Sequence, residues 1–298
     1  MEFIRRFETV NDYNVFNKNE TLHPLVSVVD LSKADPREGS KMFFGFYVIF
    51  LKEVVCGDLT YGRNTYDYQE GTLVFMAPGQ VAGVNSNGEK YQPKGYALVF
   101  HPDLIIGSPL AKNIQDYSFF GYQFHESLHL SKKEREIILD CLDKINYELE
   151  QSIDKHSIKL IVSNIELFLN YCIRFYDRQF ITRQNPHNSI LERFETLLNE
   201  YYRSEKPQQL GLPSVTYFAS ELHLSANYFG DLIKKETGKT AQEYIQTKII
   251  DIAKNLVYIH SKSVSEIAFE LGFKYPQHFT RLFKQKVGIT PNEYRSLN

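Results

Sequence analysis

The chain has 298 residues, of which 43% are hydrophobic and 14% aromatic, and its formal net charge at pH 7 is −2. A chain of this length can bury the cores of two domains, and this apolar content excludes an intrinsically disordered protein. The near-neutral charge excludes a strongly basic protein, so any contact with nucleic acid must come from a local patch.

The cysteines and the apolar runs predict a cytoplasmic protein that does not enter a membrane. Cys56, Cys141 and Cys172 are odd in number and lack the spacing of a metal or redox site, which is typical of reduced thiols. The N-terminal residues lack the uncharged apolar stretch of a signal peptide. The longest apolar run, Met42–Leu51, is too short to span a bilayer.

The N-terminal part of the chain is predicted to be rich in β-strands. Short apolar runs are separated by turn signals such as Glu70-Gly71 and Pro78-Gly79. Strands at this spacing predict a barrel or a sandwich. The strand candidates are Leu25–Asp30, Phe43–Lys52, Thr72–Ala77 and Tyr96–Phe100.

One of these strands is rich in aromatic residues and supplies the candidates for ligand contact. Alternation places Phe44, Phe46 and Phe50 on one face of the strand, and Phe43 and Tyr47 on the other. A closed barrel with aromatic walls can hold one small ligand. The alternative is that these rings form ordinary core, and the sequence leaves open which face lines the interior. The candidate ligand-binding residues are Phe44, Phe46, Tyr47 and Phe50.

Two helices are predicted to follow the strands. Ser131 and Glu134 form a capping box, and apolar residues recur after it at helical spacing. The second helix runs from about His156 to Phe180, with an apolar stripe that begins at Ile158. The stripe is wide enough to pack both within the domain and against a twin subunit, so we expect a homodimer.

Neither a metal site nor a catalytic centre is predicted here. The H-E-x-x-H pattern from His125 to His129 precedes the helix that follows Ser131, whereas zinc binding needs both imidazoles on one helix face. His23 and His101 stand alone, and no nucleophile is matched with a base. We therefore expect no metal, no cofactor and no enzymatic activity.

A stretch without periodicity, residues 182–188, contains a proline and is the predicted linker. It separates a first domain, residues 1–181, from a second domain, residues 189–298, in which every predicted element is a helix. The predicted fold class is therefore α+β with two domains.

Two stretches of the second domain repeat one pattern. Ala219–Tyr244, the first repeat, and Ala268–Tyr294, the second repeat, each read as a short helix, a turn and a longer helix. The offset is 49 at their start (268 − 219) and 50 at their end (294 − 244), so one extra residue is predicted in the turn. A long helix from Thr240 to about Tyr258 is predicted to join the repeats. The pattern is typical of a tandem helix-turn-helix DNA reader.

The longer helix of each repeat is predicted to turn polar side chains toward DNA. Gln277 can pair with adenine and Arg281 with guanine, and such a pair discriminates by roughly 1–3 kcal/mol. Phosphates repel Asp231, so we expect the second repeat to carry most base specificity and the first to position the protein. The candidate DNA-binding residues are Asn227, Tyr228, Asp231, Lys234 and Lys235 in the first repeat, and Pro276, Gln277, His278, Thr280, Arg281 and Lys284 in the second.

Positive charge is concentrated near the end of the chain. Between Lys274 and Asn298 the only acidic residue is Glu293. Such a local excess suits contact with phosphates. The basic residues of this cluster are Lys274, Arg281, Lys284, Lys286 and Arg295.

The motifs of the repeat resemble those of the AraC/XylS family of bacterial transcription regulators. The resemblance rests on Ser265–Phe273, Phe279–Lys284 and Gly288–Arg295 and extends over the second domain. It implies two helix-turn-helix units whose reading helices enter successive major grooves of double-stranded DNA. The chain departs from the family pattern at Tyr275 and Gln277, among other positions, and these departures bear on the target sequence.

The same resemblance implies a sensing domain in front of the DNA reader. Residues Tyr68–Gly79 are similar to the cupin hairpin that leads into a Pro-Gly turn. The implied architecture is a cupin-like β-barrel with two following helices, which holds an unknown small-molecule effector. It implies a homodimeric transcription activator that contacts RNA polymerase. The alternatives are a DNA-binding regulator without ligand, whose barrel mediates only dimer or partner contacts, and a cupin metalloenzyme fused to a DNA-binding module.

Overall fold

The computed structural model describes residues 4–52, 71–83, 89–151, 154, 156–182, 190–258 and 262–297. The chain divides into two compact units, an N-terminal unit, Met1–Thr182, and a C-terminal unit, Arg183–Asn298. The predicted linker lies outside the described residues except for Thr182, and so do Cys56 and the first three residues of the hairpin Tyr68–Gly79.

The strands of the N-terminal unit form three sheets. They are β1 (Ile4–Phe7), β2 (Val26–Asp30), β3 (Arg37–Glu38), β4 (Lys41–Phe44), β5 (Tyr47–Lys52), β6 (Thr72–Met76), β7 (Val81–Gly83), β8 (Lys90–Tyr91), β9 (Gly95–Phe100) and β10 (Leu128–His129). One sheet has the order β10-β6-β5-β9-β2, a second has β1-β4-β7, and β3 pairs with β8. Within the residues described, the strands thus form separate sheets, and a closed barrel is not formed.

The predicted strand Phe43–Lys52 is in fact two strands that belong to different sheets. The chain breaks at Gly45, whose N–H donates to the carbonyl oxygen of Phe7 at 2.8 Å. A Cβ atom at Gly45 would lie 3.0 Å from the carbonyl oxygen of Glu8, so the close approach of the preceding strand requires glycine. The break lets β4 pair with β1 and β7 while β5 pairs with β6 and β9.

The aromatic residues of β4 and β5 divide between two faces, as the alternation predicts. Phe44 and Phe46 are fully buried in one hydrophobic cluster, against which Phe50 packs. Tyr47 lies on the other face, where its ring stacks on that of Phe100 with the centroids 4.8 Å apart. The apolar face of this region therefore forms close-packed core.

The N-terminal unit also contains helices, of which the last two are long. They are α1 (Val10–Phe16), α2 (Pro102–Ile105), α3 (Pro109–Asn113), α4 (Lys132–Glu150) and α5 (Ser157–Thr182). The predicted capping box at the start of α4 is confirmed: the N–H of Glu134 donates to Ser131 Oγ, and the N–H of Ser131 donates to Glu134 Oε2. Arg178 of α5 then binds both carboxylate oxygens of Glu134.

The apolar stripe of α5 differs from the prediction at its first residue. Ile161, Val162 and Ile165 are buried as expected, but Ile158 is 48% exposed. Leu160 and Leu167 are also exposed. The helix therefore carries one buried face, and Leu160 and Leu167 are exposed on the side of the helix away from it.

The C-terminal unit is helical throughout its described residues. Its helices are α6 (Ile190–Arg203), α7 (Lys206–Leu210), α8 (Val215–Glu221), α9 (Ala226–Thr237), α10 (Ala241–Tyr258), α11 (Val264–Glu270), α12 (Pro276–Val287) and α13 (Pro291–Leu297). The core of the unit forms around α10, which contacts α9, α11, α12 and α13. It buries Ile245, Ile249, Ala253 and Val257 along one face.

A close backbone contact ties the second repeat to the chain before the first. Gly272 has φ +91°, and a Cβ atom there would lie 2.7 Å from the backbone carbon and oxygen of Gly211. The carbonyl oxygen of Gly211 in turn accepts a hydrogen bond from the hydroxyl of Tyr201 in α6, at 2.8 Å. The two repeats are therefore held through α6 and α7 as well as through α10.

We expect Gly272→Ala to destabilise the C-terminal unit more than Gly288→Ala does. Both glycines have a positive φ, which costs an L-residue about 1–2 kcal/mol. An added Cβ at Gly288 meets nothing within 4 Å, whereas at Gly272 it overlaps Gly211. The overlap adds about 1–3 kcal/mol. Urea unfolding of both variants measures the difference, and equal destabilisation would contradict the contact.

Three capping boxes make the stability of the C-terminal unit dependent on pH. The pKa of each of Glu243, Glu266 and Glu293 is lowered, first because its carboxylate accepts a backbone hydrogen bond from the cap residue. A carboxyl group with a lowered pKa in the folded state stabilises the fold above its unfolded pKa. That stabilisation is lost as the pH falls through the folded value.

Changing these three glutamates together to glutamine should therefore flatten the loss of stability on acidification below pH 4.5, their ordinary pKa. Glutamine still fits a capping box but does not titrate. The measurement is urea unfolding from neutral to acidic pH. Glu200→Gln, at an exposed position within α6, is the control that should leave the acid limb unchanged. A triple variant whose free energy of unfolding falls on acidification as steeply as that of the wild type would contradict this interpretation.

Candidate nucleic-acid interface

The turns of the two repeats have the same backbone hydrogen bonds. The N–H of Leu224 donates to the carbonyl oxygen of Ala219 at 2.8 Å, and the N–H of Phe273 donates to that of Ala268 at 2.9 Å. Both pairs are 49 residues apart (273 − 224 and 268 − 219). The residue before each donor is left-handed: His223 has φ +58°, and Gly272 occupies the matching place. The repeat seen in the sequence is therefore a repeat in structure.

The extra residue predicted in the turn of the second repeat is Lys274. Helix α9 begins after Ser225 and α12 after Tyr275, an offset of 50 (275 − 225). The offset is still 49 at Phe273, so Lys274 has no counterpart in the first repeat. Its side chain is exposed, and its Nζ lies 5.6 Å from the ring centroid of Tyr275. The second reading helix thus starts with an added positive charge.

The longer helices are anchored by apolar residues on their inner faces. In α9 these are Phe229, Leu232 and Ile233, and in α12 they are Phe279 and Phe283. Each helix ends at a glycine with a positive φ, Gly238 or Gly288. Because buried residues anchor each helix and a glycine ends it, its outer side chains have defined positions.

In the second repeat, most of the predicted DNA-binding side chains lie at the surface. Gln277, His278, Arg281 and Lys284 are exposed, whereas Pro276 and Thr280 are half-buried. The hydroxyl of Thr280 donates back to the carbonyl oxygen of Pro276 at 3.2 Å. Gln277 and Arg281 are four residues apart, so they share one face of α12. This arrangement presents two base-reading side chains together.

In the first repeat, the prediction is wrong for Tyr228. Asn227, Lys234 and Lys235 are exposed and Asp231 is half-buried, but Tyr228 is only 3% exposed. Tyr228 lies one turn before Leu232, so its ring widens the apolar stripe of α9. The equivalent residue of the second repeat, His278, faces outward.

The outer faces of the two reading helices differ in charge. At an offset of 50, Asp231 corresponds to Arg281 and Gly230 to Thr280. A Cβ atom at Gly230 would meet nothing within 4 Å, so this place on α9 is open. Lys234 and Lys284 also correspond, which leaves one lysine on each helix at the same level.

One residue of the predicted basic cluster, Arg295, has a structural role instead. Arg295 donates from Nε to the carbonyl oxygen of Val257 at 3.0 Å and from a terminal nitrogen to that of Lys262 at 2.8 Å. It therefore caps the end of α10, where carbonyl groups lack helical partners. Lys274, Arg281, Lys284 and Lys286 remain exposed.

The four aromatic candidates in the N-terminal unit do not line one site. Phe44 and Phe46 are 0% exposed and pack against Phe7 and Tyr13 or against each other. Phe50 borders that cluster, and Tyr47 lies on the opposite face of the sheet. Phe44 and Phe46 are core residues, as the alternative interpretation stated, whereas Tyr47 and Phe50 are half-buried.

The H-E-x-x-H pattern has a structural role. Glu126 ends a 3-10 turn, Phe124–Glu126, and its carboxylate accepts the N–H of Gln123 at 2.6 Å. His129 lies in β10, where its Nδ1 is 3.3 Å from Thr72 Oγ1. The motif therefore does not lie on an α-helix, which agrees with the prediction. Among the residues that the structure describes, no group of three potential ligands is arranged to hold a metal ion.

Sequence reasoning missed one polar cluster. Tyr13, Asn17 and Arg37 come together at the end of α1, where two of their donors are buried. Arg37 is twenty positions beyond Asn17, and no known motif joins them.

Over the described part of the chain, no helix is long and apolar enough to cross a membrane.

The comparisons with known proteins agree with this geometry. A family profile described as a helix-turn-helix domain matches residues 218–296. The HTH-type transcriptional regulator YfiF of Bacillus subtilis is 30% identical over 237 residues, which are 79% of this chain and 72% of that protein. The HTH-type transcriptional regulator YijO of Escherichia coli is 24% identical over 226 residues, 76% of each chain.

Among solved structures, the C-terminal domain of the response regulator yesN from Fusobacterium nucleatum shares 28% identity. The match covers 35% of this chain and 95% of that domain, with a TM-score of 0.31. The matched profile spans both repeats, and the likeness to YfiF extends over most of both chains. The chain therefore belongs to the AraC-type family of helix-turn-helix transcriptional regulators, whose members bind DNA.

Proposed function

We propose that this regulator reads a two-part DNA site, with the first repeat positioning the protein and the second recognising bases. The observation that carries the proposal is the exposed pair Gln277 and Arg281 on one face of α12. The matching place in α9 holds Asp231, whose carboxylate is repelled by phosphates and can accept only from a cytosine amino group. Unequal roles for the two helices follow from this difference.

The flanking lysines suit contact with the DNA backbone. Lys234 and Lys284 lie in the last turn of their helices, and both are exposed. Lysine acts on phosphate as a point charge and reads no sequence. Lys274, which only the second repeat has, adds a further charge next to α12.

Arg281→Ala should relax one base position, with a loss of about 1–3 kcal/mol that is confined to that position. Lys234→Ala should weaken all sequences alike and lower the slope of log affinity against log salt by about 1. Fluorescence anisotropy with a selected duplex and its single-base variants measures both effects. Lys112→Ala, on the exposed surface of the N-terminal unit, is the control. A uniform loss from both test variants would refute the division of roles.

The N-terminal unit is proposed to sense a small-molecule effector and to modulate transcription as an activator that contacts RNA polymerase. We assign it residues 1–181, with a linker at 182–188 and the DNA-binding domain at 189–298. A cupin-like fold is part of the same proposal and rests on the likeness of the β6 hairpin to cupin sequences. A regulator of this kind would act in the cytoplasm, where the chromosome lies.

We further propose that the regulator is a homodimer, with the open face of α4 and α5 as its interface. Leu160 and Leu167 are seven residues apart on α5 and are 45% and 42% exposed. Tyr147 of α4 is 62% exposed and lines a shallow groove together with Asn164 of α5. The groove is also lined by Asp143, Lys144 and Glu148, so charged residues border the exposed apolar side chains. Exposed apolar side chains with a polar border are a suitable surface for a two-fold interface.

Changing Leu160 and Leu167 together to glutamate should convert the dimer to a monomer, because it places charges in an apolar contact. Sedimentation velocity measures the change in mass. The matched control is Ile106→Glu, which alters a residue that is 73% exposed outside this face. A dimer that survives the double change would place the interface elsewhere.

A further inference from the structure

Two buried donors in the N-terminal unit lack a hydrogen bond of ordinary geometry to any residue that the structure describes. Tyr13 is 1% exposed, and its hydroxyl lies near the Asn17 side chain without such a bond. The Nε of Arg37 is also buried without an acceptor. Buried polar groups in folded proteins are almost always hydrogen-bonded. A pair of orphaned donors in one cluster therefore points to an acceptor that binds there.

The side chain of Asn17 holds Arg37 in place. A terminal nitrogen of Arg37 donates to Asn17 Oδ1 at 2.9 Å, and Asn17 Nδ2 donates to the carbonyl oxygen of Tyr13 at 2.8 Å. Asn17 is fully buried, so both ends of its amide are committed to these contacts. The guanidinium group is thus fixed at one edge while its Nε is left available.

A second guanidinium group, that of Arg5, contacts the same aromatic ring as Arg37. The guanidinium carbons of Arg5 and Arg37 are 4.6 and 4.5 Å from the ring centroid of Phe16. Neither arginine forms an ion pair with a carboxylate in the described parts of the chain. The charge of Arg37 is therefore not offset by a carboxylate of these parts of the chain, and a bound anion would supply that offset.

The hydroxyl of Tyr13 acts as a donor at any physiological pH. Burial raises the pKa of Tyr13 far above its ordinary value, and the charge of Arg37 offsets only part of that rise. The ring of Tyr13 is surrounded by Phe7, Phe44 and Phe46, at centroid distances of 5.3, 5.8 and 6.2 Å. The orphaned donors therefore border an aromatic, apolar environment.

We propose that Arg37 and Tyr13 bind the carboxylate of a small organic acid, with Asn17 as a positioning residue for Arg37. One carboxylate oxygen would accept from Arg37 Nε and from the hydroxyl of Tyr13. A neutral polyol would leave the charge of Arg37 uncompensated. A phosphate dianion would require more donors than this cluster supplies. The inference rests on the proposed sensing function, because it names the chemical class of the effector.

The test uses the full-length protein and ligand-observed NMR with acetate, butyrate and benzoate. Each acid is compared with its neutral amide, which keeps the shape and removes the charge. At least one carboxylate should bind, and its amide should bind at least tenfold more weakly. Arg37→Gln and Tyr13→Phe should each weaken the carboxylate tenfold or more. Arg6→Gln, at an exposed arginine paired with Glu8, is the matched control and should bind as the wild type does.

Arg37→Lys provides a second variant that keeps the positive charge but lacks the Nε–H group. It should resemble Arg37→Gln if that donor is used. Three results would overturn the inference: no carboxylate binds, amide and acid bind equally, or inorganic phosphate binds more tightly than every carboxylate. Thermal unfolding of the same samples verifies that the N-terminal unit folds, and binding of an operator duplex verifies the C-terminal unit. If DNA is bound but no carboxylate is, this inference fails while the regulatory function stands.

Discussion

The burial of one face of α10 is the constraint on which the DNA reader depends. This helix contacts the longer helix of both repeats, and its apolar residues from Ile245 to Val257 lie in the core between them. Arg295 caps its end. The helices that follow each reading helix start at capping boxes, in which Glu243 accepts the N–H of Thr240 and Glu293 accepts that of Thr290. The burial of these apolar residues stabilises the unit more than the weak intrinsic helix propensity of each segment does. The positions of the two reading helices are therefore set by packing, independently of DNA.

The contact between Gly272 and Gly211 adds a second constraint. Because the turn of the second repeat touches backbone before the first, one repeat is unable to rotate about α10 without moving α6 and α7. Gly272, the left-handed residue of this turn, therefore both shapes the turn and leaves room for the contact with Gly211. In the first repeat His223 fills the same place with no such need for glycine.

The repeat made most of the C-terminal unit predictable. Matching residues at offsets of 49 and 50 fixed the helices, the caps and the location of the extra residue, because these features depend on local sequence. Tyr228 could not be predicted, since the width of the buried stripe of α9 depends on tertiary packing. The structural role of Arg295 was hidden for the same reason: its acceptors lie more than thirty positions away.

Prediction was less successful in the N-terminal unit. The strands lie close to the predicted runs, but the break at Gly45 arises from a neighbouring strand that no local pattern reveals. The cluster of Tyr13, Asn17 and Arg37 is likewise assembled by the fold, because α1 and β3 carry its members. Of the aromatic candidates, Phe44 and Phe46 are core, as large rings commonly are, and Tyr47 and Phe50 are half-buried.

Selection of bound duplexes from a random pool tests the central claim most directly. Two reading helices held by one core should select two half-sites whose centres lie about 10 bp apart, with the sharper base preference in one of them. Enrichment of a single half-site, or of half-sites at variable spacing, would contradict a reader whose two helices are fixed by packing.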